Sequence, residues 1–134
     1  MPSIETELWL AIKARLETAT DLPIAWPAAD YQPKAGCAFL QVTNVINRPA
    51  RLSIQRGAHD RSGTLALVLV YPLGQAVEVS LECAGQIAAQ FPEDLKLRYG
   101  ATCVRIETAP HVLDGFRDGA WWRTPINIFW RSFA

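Results

Sequence analysis

The sequence predicts an α+β domain: a single curved, mostly antiparallel sheet of about five or six strands with two main helices packed on it, in the order α-β-β-β-α-β-β-β. Three observations carry this. From Gly63 to Tyr71 apolar residues occupy both parities, Leu65, Leu67, Leu69 and Tyr71 alternating with Ala66, Val68 and Val70. Neither face of such a strand suits water, so it is expected at the centre of a sheet and covered on both sides. Beyond Pro72, which ends its ladder, the period turns helical: Val77, Leu81, Ala84, Ala88 and Phe91 form one stripe, with Glu78, Glu82, Gln86 and Gln90 on another flank, a helix of about four turns. The remaining strand-like segments are joined by short turns, which implies mostly antiparallel pairing. At 134 residues the chain fits one domain, 1–134, with one core.

Ser3 is placed to cap the first helix, with Glu5 and Glu7 at the positive end of its dipole. Ile4, Leu8, Ile12 and Leu16 repeat every four residues and Trp9 widens the stripe. Arg15 intrudes on it, and Leu10 projects to the other side, where an exposed leucine suits a contact between subunits. The helix is expected to stop before Pro23. Pro23, Pro27 and Pro33 then hold the chain extended, and Trp26 and Tyr31 are the side chains available to pin it. A strand follows from Ala38 to Ile46, with Leu40, Val42 and Ile46 on one face and Gln41 and Thr43 on the other. After the Asn47-Arg48-Pro49 turn signal, Arg51 to Arg56 alternates with Leu52 and Ile54 inward, which predicts a hairpin with the previous strand. Gly57 to Ser62 reads as a polar loop. Past Pro92, Leu95, Leu97 and Tyr99, then Thr102, Val104 and Ile106, alternate on either side of Gly100 as a second hairpin. Asp114-Gly115 and Asp118-Gly119 are turn signals. The final strand, Ala120 to Phe133, sets Trp122, Ile126, Ile128 and Trp130 at one parity, and Pro125 inside it implies an edge position or a bulge.

Thirteen Lys and Arg offset thirteen Asp and Glu, which argues against a general nucleic-acid binder held by net charge while leaving room for a local basic patch. Half the residues are hydrophobic and 19% charged, below the roughly one quarter usual in soluble domains. With five Trp, that composition leaves apolar surface for a partner, above all another copy. Cys37, Cys83 and Cys103 lack the paired spacing of a zinc site and read as idle thiols of a reducing cytosol. The start is acidic rather than basic, and no apolar run approaches the roughly 18 residues that span a bilayer. A soluble, unprocessed chain without membrane contact is expected.

Arg48, Arg51, Arg56 and Arg61 concentrate positive charge in one hairpin and its loop, with only Asp60 against them. Guanidinium forks suit phosphate or an acidic surface on a neighbouring subunit; a solvated hairpin accounts for them equally well. Glu78, Glu82, Glu93 and Asp94 make the second helix and its exit acidic. A basic hairpin and an acidic helix in a neutral chain are what a head-to-tail ring uses. The candidates for a lumen or subunit interface are therefore Arg48, Arg51, Arg56, Arg61, Leu10, Glu78 and Glu82. No catalytic, metal-binding or cofactor-binding residue is proposed. His59-Asp60 and His111 hold the only histidines, and neighbours along a strand point apart. No serine sits in a Gly-x-Ser-x-Gly elbow, and Gly85 has no glycine-rich loop beside it. Trp121-Trp122-Arg123 can stack bases, but beside isoleucines its aromatics read as core and interface.

Taken in order, Met1-Pro-Ser-Ile-Glu5 with Leu8-Trp-Leu-Ala11, Leu22-Pro-Ile-Ala-Trp-Pro27, Arg61-Ser-Gly-Thr-Leu65, Ala84-Gly-Gln-Ile-Ala88 with Phe91-Pro92, and Trp122-Arg-Thr-Pro-Ile-Asn-Ile128 resemble a family of short phage and prophage proteins described as tail terminator-like. The resemblance covers nearly the whole chain. It implies the α+β fold of the tail terminators of long-tailed phages, and a hexameric ring that caps the tail tube, stops its growth and offers a surface to the head connector. On that reading the protein is structural, without enzymatic activity or cofactor. Its partners are other copies of itself, joined at assembly, the tail tube protein and the head connector, with DNA passing non-specifically through the lumen. It belongs to the virion tail after synthesis in the bacterial host cytoplasm. A neck or head-tail joining component is the alternative within that class. A small-molecule-binding or enzymatic α+β domain is the alternative outside it, and would need a concave pocket of converging polar groups, with His59 or His111 buried beside a carboxylate.

Overall fold

A computed structural model describes residues 3–34, 36–47, 50–51 and 59–133. The elements are α1 (Ile4–Ala19), β1 (Ile24–Ala25), β2 (Phe39–Ile46), β3 (Ala50–Arg51), β4 (His59–Pro72), α2 (Val77–Ala89), β5 (Lys96–Tyr99), β6 (Thr102–Ile106), β7 (His111–Val112), β8 (Phe116–Asp118) and β9 (Trp121–Phe133). This is the expected α+β architecture, two helices on a curled sheet. The main path across the sheet is β1-β2-β4-β9-β6-β5, with β3 beside β4 and with β7 and β8 beside β9. The described pairs are antiparallel apart from β1 with β2, where the proline-rich connection runs parallel to β2.

β4 is central, between β2 and β9. Leu65, Leu67 and Leu69 are at most 1% exposed and share one core with Leu8, Ile12 and Leu16 of α1 and with Ala84, Ile87 and Phe91 in and after α2. The opposite parity departs from expectation. Ala66 and Val68 are only half-buried, because both helices lie on the leucine side. Val70, at the far end, is buried opposite Phe39, which packs against Tyr31 and Trp121 at 5.0 and 5.7 Å between ring centroids. The sheet is thus covered by helices on one face and left bare over most of the other.

In α1 the Ser3 hydroxyl accepts the Thr6 backbone N–H, and Leu8, Ala11, Ile12 and Leu16 are buried. Arg15, which breaks the apolar stripe, has a structural use: its Nε donates at 2.8 Å to the carbonyl of Gln90, the C-cap of α2. It satisfies a helix-end acceptor that has no partner within its own helix. Trp26 meets Trp9 edge to face at 5.9 Å, so the two aromatic anchors expected for the proline-rich connection do hold it.

The second helix is rotated from its expected orientation. Ser80, Ala84 and Ile87 are buried, while Val77 and Leu81 are 49% and 46% exposed. Small residues at 80 and 84 let the helix approach the sheet, and the Ser80 hydroxyl is satisfied inside its own turn by the Val77 carbonyl at 2.9 Å. Ile46 is likewise exposed rather than inward, since its end of β2 runs past the helices.

The first hairpin also differs. β3 does not pair with β2; it pairs with the following strand, Ala50 opposite Asp60 and Arg51 opposite His59. Because β9 occupies the other edge of β4 as far as Asp60, β2 and β3 must share one edge. They are successive pieces of one arm, and the Asn47 N–H still donates to the Ser62 carbonyl at 2.9 Å. The stretch read as a polar loop is already β4 from His59 onward. Arg48, Pro49, Leu52, Ile54 and Arg56 lie outside the described residues.

β9 is an interior strand, not an edge. Pro125 is tolerated there because its carbonyl accepts from the Leu113 N–H at 2.9 Å, and a strand residue's N and O point the same way. The missing donor therefore faces the break between β7 and β8, where three residues, 113–115, stand against two, Thr124 and Pro125. The bulge expected from this proline lies on the neighbouring chain segment. β5 and β6 form the second hairpin as expected. Its turn needs Gly100, whose φ is +60° and whose missing side chain leaves room for the Glu7 carboxylate, which accepts from the Thr102 hydroxyl.

Candidate assembly surfaces

The sequence candidates separate into different places. Glu78 and Glu82 stand exposed on α2, on its outward side with exposed Val77, Val79 and Leu81. Acidic and apolar groups alternate there on a helix whose other side is already packed. Leu10 is half-buried rather than exposed. Arg61 points to the helix side of the sheet, where Nη2 lies 3.5 Å from Glu5 of α1 and the side chain is only 15% exposed. Arg51 is placed by its backbone in β3, and Arg48 and Arg56 lie outside the described residues.

The structure gathers a second set of cations that sequence spacing did not single out. Lys96 is opposite Arg105, and Arg105 is opposite Arg131, so three basic residues cross three strands in one row. Their strand neighbours Leu97, Val104, Ile106 and Trp130 fill the core, which puts the row on the bare face. Arg98 lies one step away opposite Cys103. Arg131 has a half-exposed partner, Glu107, at 3.4 Å. The Nε of Arg105 is buried without a hydrogen-bond partner among the described residues. Like charges directly opposite one another in a sheet are unfavourable, so this row suits an anionic surface. The alternation of Thr102, Val104 and Ile106 already sends Arg105 to the other face; only the register brings it beside Arg131.

Four of the surface hollows lie among the described residues. One of about 200 Å³ lies where α2 begins, between Tyr71 and Trp122, and one of about 440 Å³ lies under the connection from Ala25 to Pro33. A third, about 260 Å³, is lined by Trp9, Pro27 and Ile46. The fourth, about 430 Å³, is a groove on the bare face beside the basic row, with Thr64, Phe129 and Arg131. None of the four is lined by a histidine or cysteine. The arginines that line them have carboxylate partners: Arg123 is 2.7 Å from Asp118 and donates to Gln41 at 3.0 Å, and Arg131 faces Glu107. His111 is exposed on β7. Among the described residues no group of three or more His, Cys, Asp or Glu is placed to hold a metal ion, and no helix is long and apolar enough to cross a membrane. Trp121 packs on Phe39 and Trp122 covers Gly115, so both tryptophans have intramolecular contacts.

A family model described as phage tail terminator protein matches residues 7–130. The chain belongs to that family. As a terminator-family protein it is a structural phage tail protein and a component of the virion tail. Among curated proteins none matches it. Two of the solved structures similar to the terminator chain share its fold along nearly its whole length. One is 23% identical, covers 92% of this chain and 94% of its own, and superposes with a TM-score of 0.71. The other, from the virion of a native gene transfer agent particle, is 10% identical, covers both chains fully and has a TM-score of 0.65.

Proposed function

We propose that this chain is a terminator subunit that closes the end of the tail tube, stops its growth and offers the head connector a surface, through self-assembly into a ring of the hexameric kind. The match to the terminator family along nearly the whole chain carries this reading. The bare sheet face, the exposed apolar residues of α2 and the split of charge between opposite sides support it, since a ring subunit needs two different surfaces that fit each other. Arg48, Arg51, Arg56 and Arg61 are proposed for the lumen or the subunit contact, with Leu10, Glu78 and Glu82 on the contact side. DNA passes the lumen without base-specific contact. The protein is made in the host cytoplasm, in phage or prophage form, and acts without chemistry of its own.

The test is reconstitution with the tail tube protein of the same phage tail. Adding the subunit to growing tubes is expected to fix their length and leave a ring at one end in electron micrographs. Arg51→Glu with Arg56→Glu is expected to abolish ring formation or head joining while circular dichroism stays unchanged. Tubes that elongate regardless of the added subunit would refute the capping role. Full head joining by the arginine variant would refute the placement of those side chains.

A further inference from the structure

We propose that the outward side of α2 in one copy docks on the bare face of the sheet in the next, with Glu78 and Glu82 meeting the row Lys96, Arg105 and Arg131. This rests on the reading that the chain self-assembles, and it names the surfaces that do so.

Three features converge on that pairing. The first is direction. α2 packs on the same side of the sheet as α1, so its free side looks away from the sheet, whereas the basic row looks out from the opposite face. Complementary patches on opposite sides of one subunit associate head to tail, which closes into a ring or runs on as a filament.

The second is spacing. Glu78 and Glu82 are one helical turn apart, about 6 Å between neighbouring side-chain positions. Cations on adjacent strands recur about every 4.8 Å, so two carboxylates reach two cations of the row together. Their arrival also relieves the facing of Arg105 on Arg131, and Arg105 has no ion pair among the described residues.

The third is apolar surface. Val77 and Leu81 are about half exposed beside the two glutamates. Val68, Pro125 and Phe129 are half-buried on the bare face, and the groove beside Phe129 and Arg131 has a volume of about 430 Å³. A helix laid there gives the sheet a second covering layer, which the apolar residues at both parities of β4 favour. The contact would have an apolar centre and a charged rim, the usual anatomy of a protein interface.

The experiment uses the full chain, mixed as light and heavy isotope forms at rising concentration and on tail tubes, followed by zero-length carbodiimide cross-linking and mass spectrometry. Links between copies joining Lys96 to Glu78 or Glu82 are expected. Glu78→Arg with Glu82→Arg is expected to weaken association about tenfold or more, and Lys96→Glu with Arg98→Glu, both at exposed positions, to do the same. Combining the two reversals is expected to restore it. Assembly of the native chain with no link from Lys96 to α2, or assembly indifferent to either reversal, would overturn this interface and leave the terminator reading standing. A native chain that stays monomeric at every concentration and on tubes would overturn both. Duplex DNA bound through Lys96 and Arg98, with the mass of the protein unchanged, would assign the row to nucleic acid instead.

Discussion

Trp130 lies across Gly63, its register partner on β4, so closely that a β-carbon at 63 would sit 2.6 Å from the indole ring and 2.5 Å from the Val45 carbonyl oxygen. The indole Nε1 donates at 2.9 Å to Asn44 Oδ1, which holds the ring in place. One glycine therefore lets the largest core side chain lie flat against three strands.

Gly63→Ala is expected to cost about 1–3 kcal/mol, because one of the obstructing atoms belongs to the backbone and cannot swing away. Urea unfolding followed by Trp fluorescence measures it. A loss below about 0.5 kcal/mol, the range of an ordinary surface change, would show that the ring has room to move.

Arg15→Met keeps the apolar stem and removes the donor to the Gln90 carbonyl. A loss of about 1 kcal/mol is expected, with faster hydrogen exchange confined to the last turn of α2. Uniformly faster exchange across the sheet would instead indicate that Arg15 supports the core as a whole.

Pro125→Ala should be close to neutral, within about 0.5 kcal/mol, since the restored N–H faces the break between β7 and β8. Asn127→Pro, two residues on, removes a donor on the side where β7 does pair, and is expected to cost about 3 kcal/mol or more. Thermal melting of the two variants compares them directly.

Burial raises the Tyr71 hydroxyl from its ordinary 10.0 to about 12, with the hydrogen bond to Cys83 adding to the rise. The folded chain therefore holds this proton more tightly than the unfolded chain. The associated stability is fully present below pH 10 and is lost as pH climbs through 12. Tyr71→Phe is expected to flatten the fall of stability across that interval, read from urea midpoints at successive pH values. An equally steep fall in the variant would place the alkaline sensitivity elsewhere.

The order of elements was legible because it rests on local periodicity. Leu65, Leu67 and Leu69 alternate, Leu8, Ile12 and Leu16 recur at helical spacing, and Gly100 marks a turn, whatever lies around them. The charged candidates were legible as charges but not as places. Arg61 stands in the same run as Arg51, yet it turns to Glu5 on the helix side.

The sequence by itself thus determined an α+β chain with a central strand that is apolar on both faces, and no recognisable catalytic chemistry. Only the tertiary structure decided which face stayed bare, how α2 was turned, and which cations came together. Those depend on strand register and on side chains meeting across long sequence separations. Arg105 and Arg131 are neighbours only because β6 pairs with β9, and the exposure of Val77 and Leu81 follows from Ile87 and Phe91 taking the places against the sheet.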